Sequence, residues 1–205
     1  TDPIKIDVLG TFLYARDIPS LTALIIDRCL NGERQNLCIS ATSAHGLVFA
    51  KKNDDFRATL QSFYLNVPDG MPGVWIGRLK GARHMRRCYG PDVFRSVLSA
   101  TRDLPVTHFF CGGNEGVAIE LKEAVGKKFH NHKVVGTFCP PFRAIDQYDY
   151  QAIAGHINQA APDIVWIGLS SPKQELFARK LSEFTKVTFM ITVGAAFDFH
   201  TDKVR

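Results

Sequence analysis

Three apolar runs of strand length, residues 106–111, 163–169 and 187–193, restrict the fold more than any other feature of this sequence. They read as strands buried on both faces. Each stops at small or turn-forming residues: Gly112-Gly113, Ser170-Ser171-Pro172 and Gly194-Ala195-Ala196. The first two lead into helical patterns over residues 115–129 and 173–184, and a strand at 133–136 and a helix at 146–159 fill the interval. Alternation of this kind predicts an α/β fold, Rossmann-like, with parallel sheets covered by helices.

The first half repeats the pattern less cleanly. Strands are expected at residues 4–9, 37–41 and 63–67, with helices at 19–30, 44–61, 71–79 and 91–101. A weak break near residues 102–105 divides an N-terminal α/β half, 1–103, from a C-terminal Rossmann-like half, 104–205; one continuous domain is the other reading. A chain of 205 residues accommodates either.

Composition removes several classes. Hydrophobic residues make up 45% and charged residues 22%, which excludes disorder and coiled coil. The longest apolar stretch is about half of what a bilayer crossing needs. The net charge of +5 is too small for a dedicated nucleic-acid binder and suits an anionic ligand or membrane surface. Five scattered cysteines with no CxxC pair argue against a disulfide scaffold or a zinc site and for a reducing cytoplasm. His130-Asn131-His132 reads as a surface loop and His45 as structural. Dinucleotide, P-loop, HExxH and GxSxG motifs are missing. No two aspartates stand two apart, so the metal clamp common among sugar-nucleotide enzymes is missing too, and no metal is expected.

Open parallel sheets bind ligands beyond the carboxyl ends of their strands, which directs attention to a few positions. Asp69, in the turn Pro68-Asp69-Gly70, is placed either to take a proton from a hydroxyl nucleophile or simply to make an Asx-turn. Gly112 and Gly113 allow close backbone approach to a phosphate, or only a tight turn. In Gly168-Leu169-Ser170-Ser171-Pro172-Lys173-Gln174-Glu175, Lys173 falls in the first turn of a helix, where it opposes the helix dipole. An anionic ligand would explain it; an exposed lysine is the plainer account. Asp198 either meets a ligand hydroxyl or caps local structure. Between Gly70 and Pro91 there is no acidic residue, yet Arg78, Lys80, Arg83, Arg86 and Arg87 occur, forming a solvated face or a patch for phosphates or anionic lipid.

The succession Ala41-Thr42, Asn66-Val67-Pro68-Asp69-Gly70-Met71-Pro72 and Arg87-Cys88-Tyr89-Gly90-Pro91-Asp92 resembles the WecG/TagA/CpsF glycosyltransferases (family 26). So do Gly112-Gly113, Val134-Val135-Gly136-Thr137, Pro140-Pro141-Phe142, Pro172-Lys173-Gln174-Glu175 and Val193-Gly194-Ala195-Ala196-Phe197-Asp198, in the same order along nearly the whole chain. The resemblance implies an inverting, metal-independent transfer of an N-acetylmannosamine or uronic acid type sugar from a UDP-sugar to a polyprenyl-diphosphate-linked saccharide. Wall teichoic acid, enterobacterial common antigen and exopolysaccharide are products of such enzymes, which work peripherally on the inner face of the cytoplasmic membrane. It implies Asp69 as general base with Thr42 and Gln174 as further catalytic residues. Donor contacts are then expected from Gly112, Gly113, Gly168, Lys173, Gln174, Glu175 and Asp198, and acceptor or phosphate contacts from Arg83, Arg86 and Arg87.

Two departures accompany it. Ala44 stands where many relatives carry Asn, and relatives continue beyond Lys203-Val204-Arg205 into a basic helical segment implicated in membrane attachment, whose restoration is expected to raise turnover. No nucleic-acid partner is expected, and a homo-oligomer stays open. The alternatives are a non-catalytic nucleotide-sugar binding subunit and another Rossmann-like nucleotide-dependent enzyme.

Overall fold

A computed structural model describes residues 2–113 and 116–200 of the chain. Its centre is one eight-stranded sheet: β1 (Lys5–Val8), β2 (Thr11–Tyr14), β3 (Leu37–Thr42), β4 (Leu65–Pro68), β5 (His108–Gly112), β6 (Val134–Phe138), β7 (Ile164–Gly168) and β8 (Phe189–Thr192). The spatial order is β1-β2-β4-β3-β8-β7-β5-β6, parallel throughout except for the β1–β2 hairpin. The expected Rossmann-like α/β architecture is therefore what the chain adopts. Strands from before and after residue 103 share this sheet, because β3 lies directly between β4 and β8.

The apolar runs behave as double-sided strands. Along β7, Ile164 and Trp166 enter one core and Val165 and Ile167 the other, the period-two alternation of a strand covered on both faces. The first face is covered by α1 (Ile18–Asn31), α5 (Gly90–Ala100), α6 (Val117–Phe129) and the short α9 (Ala196–His200). The second is covered by α2 (Ala44–Lys52), α3 (Asp54–Ser62), α7 (Tyr150–Ala160) and α8 (Lys173–Leu181). The remaining helix, α4 (Met71–Leu79), packs on β1 and β4 at one edge.

Local chemistry explains where the elements differ from expectation. Residues 44–61 are two helices, because the Asn53 side chain accepts from Phe56 N–H at 2.9 Å and so starts a new helix. The hairpin strand β2 is not anticipated by the sequence reading. Its two-residue turn, Leu9-Gly10, has positive φ at both positions (57° and 86°), and Leu-Gly lacks the usual Asn-Gly signature. Residues 145–147 form a short 3₁₀ turn before α7, which opens at Tyr150 with Asp149 accepting from Ala152 N–H. The start expected for α6 at 115 lies outside the described residues. His130-Asn131-His132 is partly internal: Asn131 is buried and donates to Leu98 O at 2.8 Å.

Candidate active site

The carboxyl ends of β3, β4, β7 and β8 surround a cleft of about 340 Å³. Ala41, Ser43, Asp69, Tyr89, Pro91, the 168–171 turn, Gln174 and residues 193–195 and 198 line it. Three helix starts converge there. Ser43 is the N-cap of α2, Tyr89 the N-cap of α5, and Pro172 that of α8, which follows the Ser170-Ser171 wall. Unsatisfied N–H groups and aligned dipoles at helix starts favour a negatively charged ligand.

Asp69 is fixed by its backbone on every side. Its N–H donates to Thr42 O at 3.1 Å, extending the β3–β4 ladder by one residue. Pro68 O accepts from Cys88 N–H at 2.8 Å, and Asp69 O accepts from Arg87 Nε at 2.7 Å. The carboxylate in turn accepts from Gly90 N–H, the first residue of α5, at 2.7 Å. Gly90 must be glycine for this approach, since a Cβ there would sit 2.8 Å from Val193 O. Burial pushes the Asp69 carboxyl above its ordinary value, opposed by the Gly90 hydrogen bond and by the charge of Arg87. A half-buried carboxylate with a raised pKa, held at the wall of a cleft, is suited to accept a proton.

Beneath the opposite wall lies a polar cluster centred on Glu175, which is buried. Its Oε1 accepts from Ser40 Oγ and from Gln174 Nε2, each at 3.1 Å, and its Oε2 accepts from Ser171 Oγ at 2.8 Å. Burial raises the Glu175 pKa, with the three side-chain donors opposing. Gln174 Oε1 accepts from Gly194 N–H at 3.1 Å, which ties the start of α8 to the turn after β8. Thr42 belongs to this layer: it is buried and donates to Ser40 Oγ at 3.1 Å.

The sequence-derived residues thus separate. Asp69, Gly168, Gln174 and Asp198 meet in the cleft wall. Thr42 and Glu175 stand behind it. Gly112 and Gly113 serve the backbone: a Cβ on Gly112 would lie 2.5 Å from Gly168 O, and the Gly113 N–H is spent on that same oxygen at 2.9 Å. Gly168 faces the Phe197 ring, which a Cβ would meet at 2.7 Å. Lys173 does not line the cleft; its ammonium lies over the rings of Phe142 and Tyr148, 4.4 and 5.2 Å from the centroids. Arg87 adjoins Asp69 and stacks on Tyr89 at 4.2 Å, whereas Arg86 binds the carbonyls of Arg83 and Met85 and Arg83 is exposed. Among the described residues, no group of three or more His, Cys, Asp or Glu could hold a metal ion, and no helix is long and apolar enough to cross a membrane.

Ser40, Ser171, Tyr89 and Gly90 carry the geometry without having been singled out as site residues. Ser40 had a readable signal, since it and Thr42 put hydroxyls on one face of a strand otherwise destined for the interior.

A largely parallel α/β sheet with a cleft at the carboxyl edge of its strands defines a class, Rossmann-like α/β proteins, whose ligands bind at that edge. The chain belongs to the glycosyl transferase WecG/TagA/CpsF family, whose sequence model matches residues 6–205. Among curated proteins it is similar to the N-acetylglucosaminyldiphosphoundecaprenol N-acetyl-beta-D-mannosaminyltransferases of Bacillus spizizenii strain W23 and Bacillus subtilis strain 168. It is 28% and 27% identical to them, over 158 residues that make up 76% of this chain. The aligned part covers 59% of each relative, so the chain spans about three-fifths of the length of the curated relatives it matches.

Proposed function

We propose that this chain carries the catalytic core of an inverting glycosyltransferase. It would move a sugar of the N-acetylmannosamine or uronic acid type from UDP to a polyprenyl-diphosphate-linked saccharide, at the cytoplasmic face of the membrane and without a metal. The observation that carries the reading is the Asp69 carboxylate, fixed by Gly90 N–H at 2.7 Å in a cleft lined by residues at the starts of α2, α5 and α8. Family membership and the printed activity of the two Bacillus relatives support the same class.

In the proposed step an acceptor hydroxyl attacks the anomeric carbon opposite the diphosphate. The new C–O bond forms as the anomeric C–O bond to phosphate breaks, the hydroxyl proton passes to Asp69, and UDP leaves with the electron pair. Charge growing on the diphosphate is met by helix-start N–H groups and by Arg87. Lys173 and the Gly112-Gly113 turn, expected to contact the donor, are turned to other partners: the Lys173 ammonium lies over the Phe142 ring and the Gly113 N–H donates to Gly168 O. Gln174 orients the donor from the wall, and Thr42 acts from behind by holding Ser40.

Calorimetric titration with UDP in EDTA, with NAD as the control, tests the reading. Saturable UDP binding and no NAD binding are expected. Absence of UDP binding, or binding that requires a divalent cation, would refute it. Transfer from UDP-N-acetylmannosamine to an N-acetylglucosaminyl-diphosphate lipid then tests the acceptor.

A further inference from the structure

Helix α4 is apolar on two sides. Gly73, Val74 and Gly77 are buried, and the two glycines let the helix settle onto the hairpin and the segment that follows α4: a Cβ would meet Leu13 at 3.1 Å from Gly73 and the Met85 sulfur at 2.2 Å from Gly77. The other side carries Pro72, Trp75 and Leu79, spaced i, i+3, i+7 along one stripe. Trp75 is 57% exposed and Leu79 88%, so the stripe faces solvent. A surface helix with apolar residues on both faces is built for a second contact.

The helix that carries the stripe and the segment that follows it are basic. Arg78, Arg83, Arg86 and Arg87 are exposed, and among the described residues none of the four forms an ion pair. Lys80 does, with Asp7 at 2.8 Å. Arg78 and Arg86 donate to main-chain carbonyls of residues 83 and 85, which orders the loop while leaving the charge in place.

We propose that the outward face of α4 docks on an anionic lipid bilayer, with Trp75 and Leu79 entering the headgroup–acyl boundary and Arg78, Arg83 and Arg86 lying against the headgroups. Trp concentrates at membrane–water interfaces, and each basic residue near an anionic surface strengthens attachment. A second copy of the chain is the poorer occupant, because a two-fold contact would set each basic cluster against itself.

The inference rests on the reading of the acceptor as lipid-linked and deepens it. Helix α4 begins two residues after Asp69 and is about 13 Å long. Docking this face keeps the proposed base close to the plane from which a diphosphate-linked sugar projects, so the acceptor reaches the cleft with its polyprenyl chain still in the bilayer.

The chain has two tryptophans, and Trp166 is fully buried, so Trp75 reports contact directly. On adding vesicles of mixed phosphatidylcholine and phosphatidylglycerol, its emission is expected to shift to the blue and to be quenched by brominated lipid. Pure phosphatidylcholine vesicles should give little response. Trp75→Ser/Leu79→Ser should weaken co-sedimentation with the mixed vesicles at least about tenfold and leave UDP binding unchanged, since neither residue lines the cleft. Arg83→Glu should weaken it about fivefold or more.

No blue shift with mixed vesicles while UDP still binds would overturn the docking proposal and leave the functional reading intact. So would an equal response to both vesicle types. A blue shift that grows with protein concentration in the absence of lipid, with a dimer by sedimentation, would assign the face to a second copy instead. Vesicle binding through Trp75 without UDP binding would sink the functional reading and support the surface.

Discussion

Asp69 and Glu175 are both carboxylates whose pKa burial raises, yet their surroundings assign them different work. Asp69 has one strong donor to its side chain and access to the cleft. As pH falls through its raised pKa it takes up a proton and can no longer act as a base. Turnover should therefore drop on the acid side at a pH above the ordinary aspartate value. Asp69→Asn should abolish that limb and lower kcat by about 10²-fold or more, which a pH–rate profile of the two proteins would test. Glu175 is enclosed by three donors. Glu175→Ala strands Ser40, Ser171 and the Gln174 amide, so it should cost at least about 2 kcal/mol of stability and weaken UDP binding by loosening the 170–174 segment. Urea unfolding and calorimetry that found neither change would remove Glu175 from the support of the cleft.

At the scale of elements, the cleft depends on how closely β5 and β7 approach. Gly112 has φ of 135°, and a Cβ there would lie 2.5 Å from Gly168 O in the adjacent strand. Both conditions demand glycine. Gly112→Ala should lower stability by at least about 2 kcal/mol and displace the 168–171 turn, so that thermal unfolding and UDP affinity fall together. The sequence reading saw these glycines as candidate phosphate contacts. Composition at a strand end does not distinguish a backbone that approaches a ligand from one that approaches a neighbouring strand. Lys173 carries the same lesson: its place in the first turn of α8 was legible, but the Phe142 and Tyr148 rings that hold it come from a loop more than twenty residues earlier.

For the whole molecule, the order β4-β3-β8-β7 joins the two halves through hydrogen bonds between β3 and β8. We expect one cooperative unfolding transition, with circular dichroism and the fluorescence of buried Trp166 changing at the same denaturant concentration. Residues 1–103 expressed alone should not fold stably, because β3 would lose its β8 neighbour and expose the core face it shares with Phe189 and Ile191. Two separated transitions would show that the halves are independent units.

The α/β class, the strands of the second half and the strand-end positions at which a site was expected are all legible in the order of the residues. Short apolar runs and their terminators are local properties, and the ligand-binding edge follows from parallel topology. The sequence also pointed to Asp69, through its turn after a strand and the motif around it. Which of those residues meet depends on how the folded chain brings distant segments together. Gly90 reaches Asp69 across a separation of 21 residues, and Ser40 reaches Glu175 across 135. Contacts at such distances are set by the order in which strands enter the sheet, and no local pattern encodes that order.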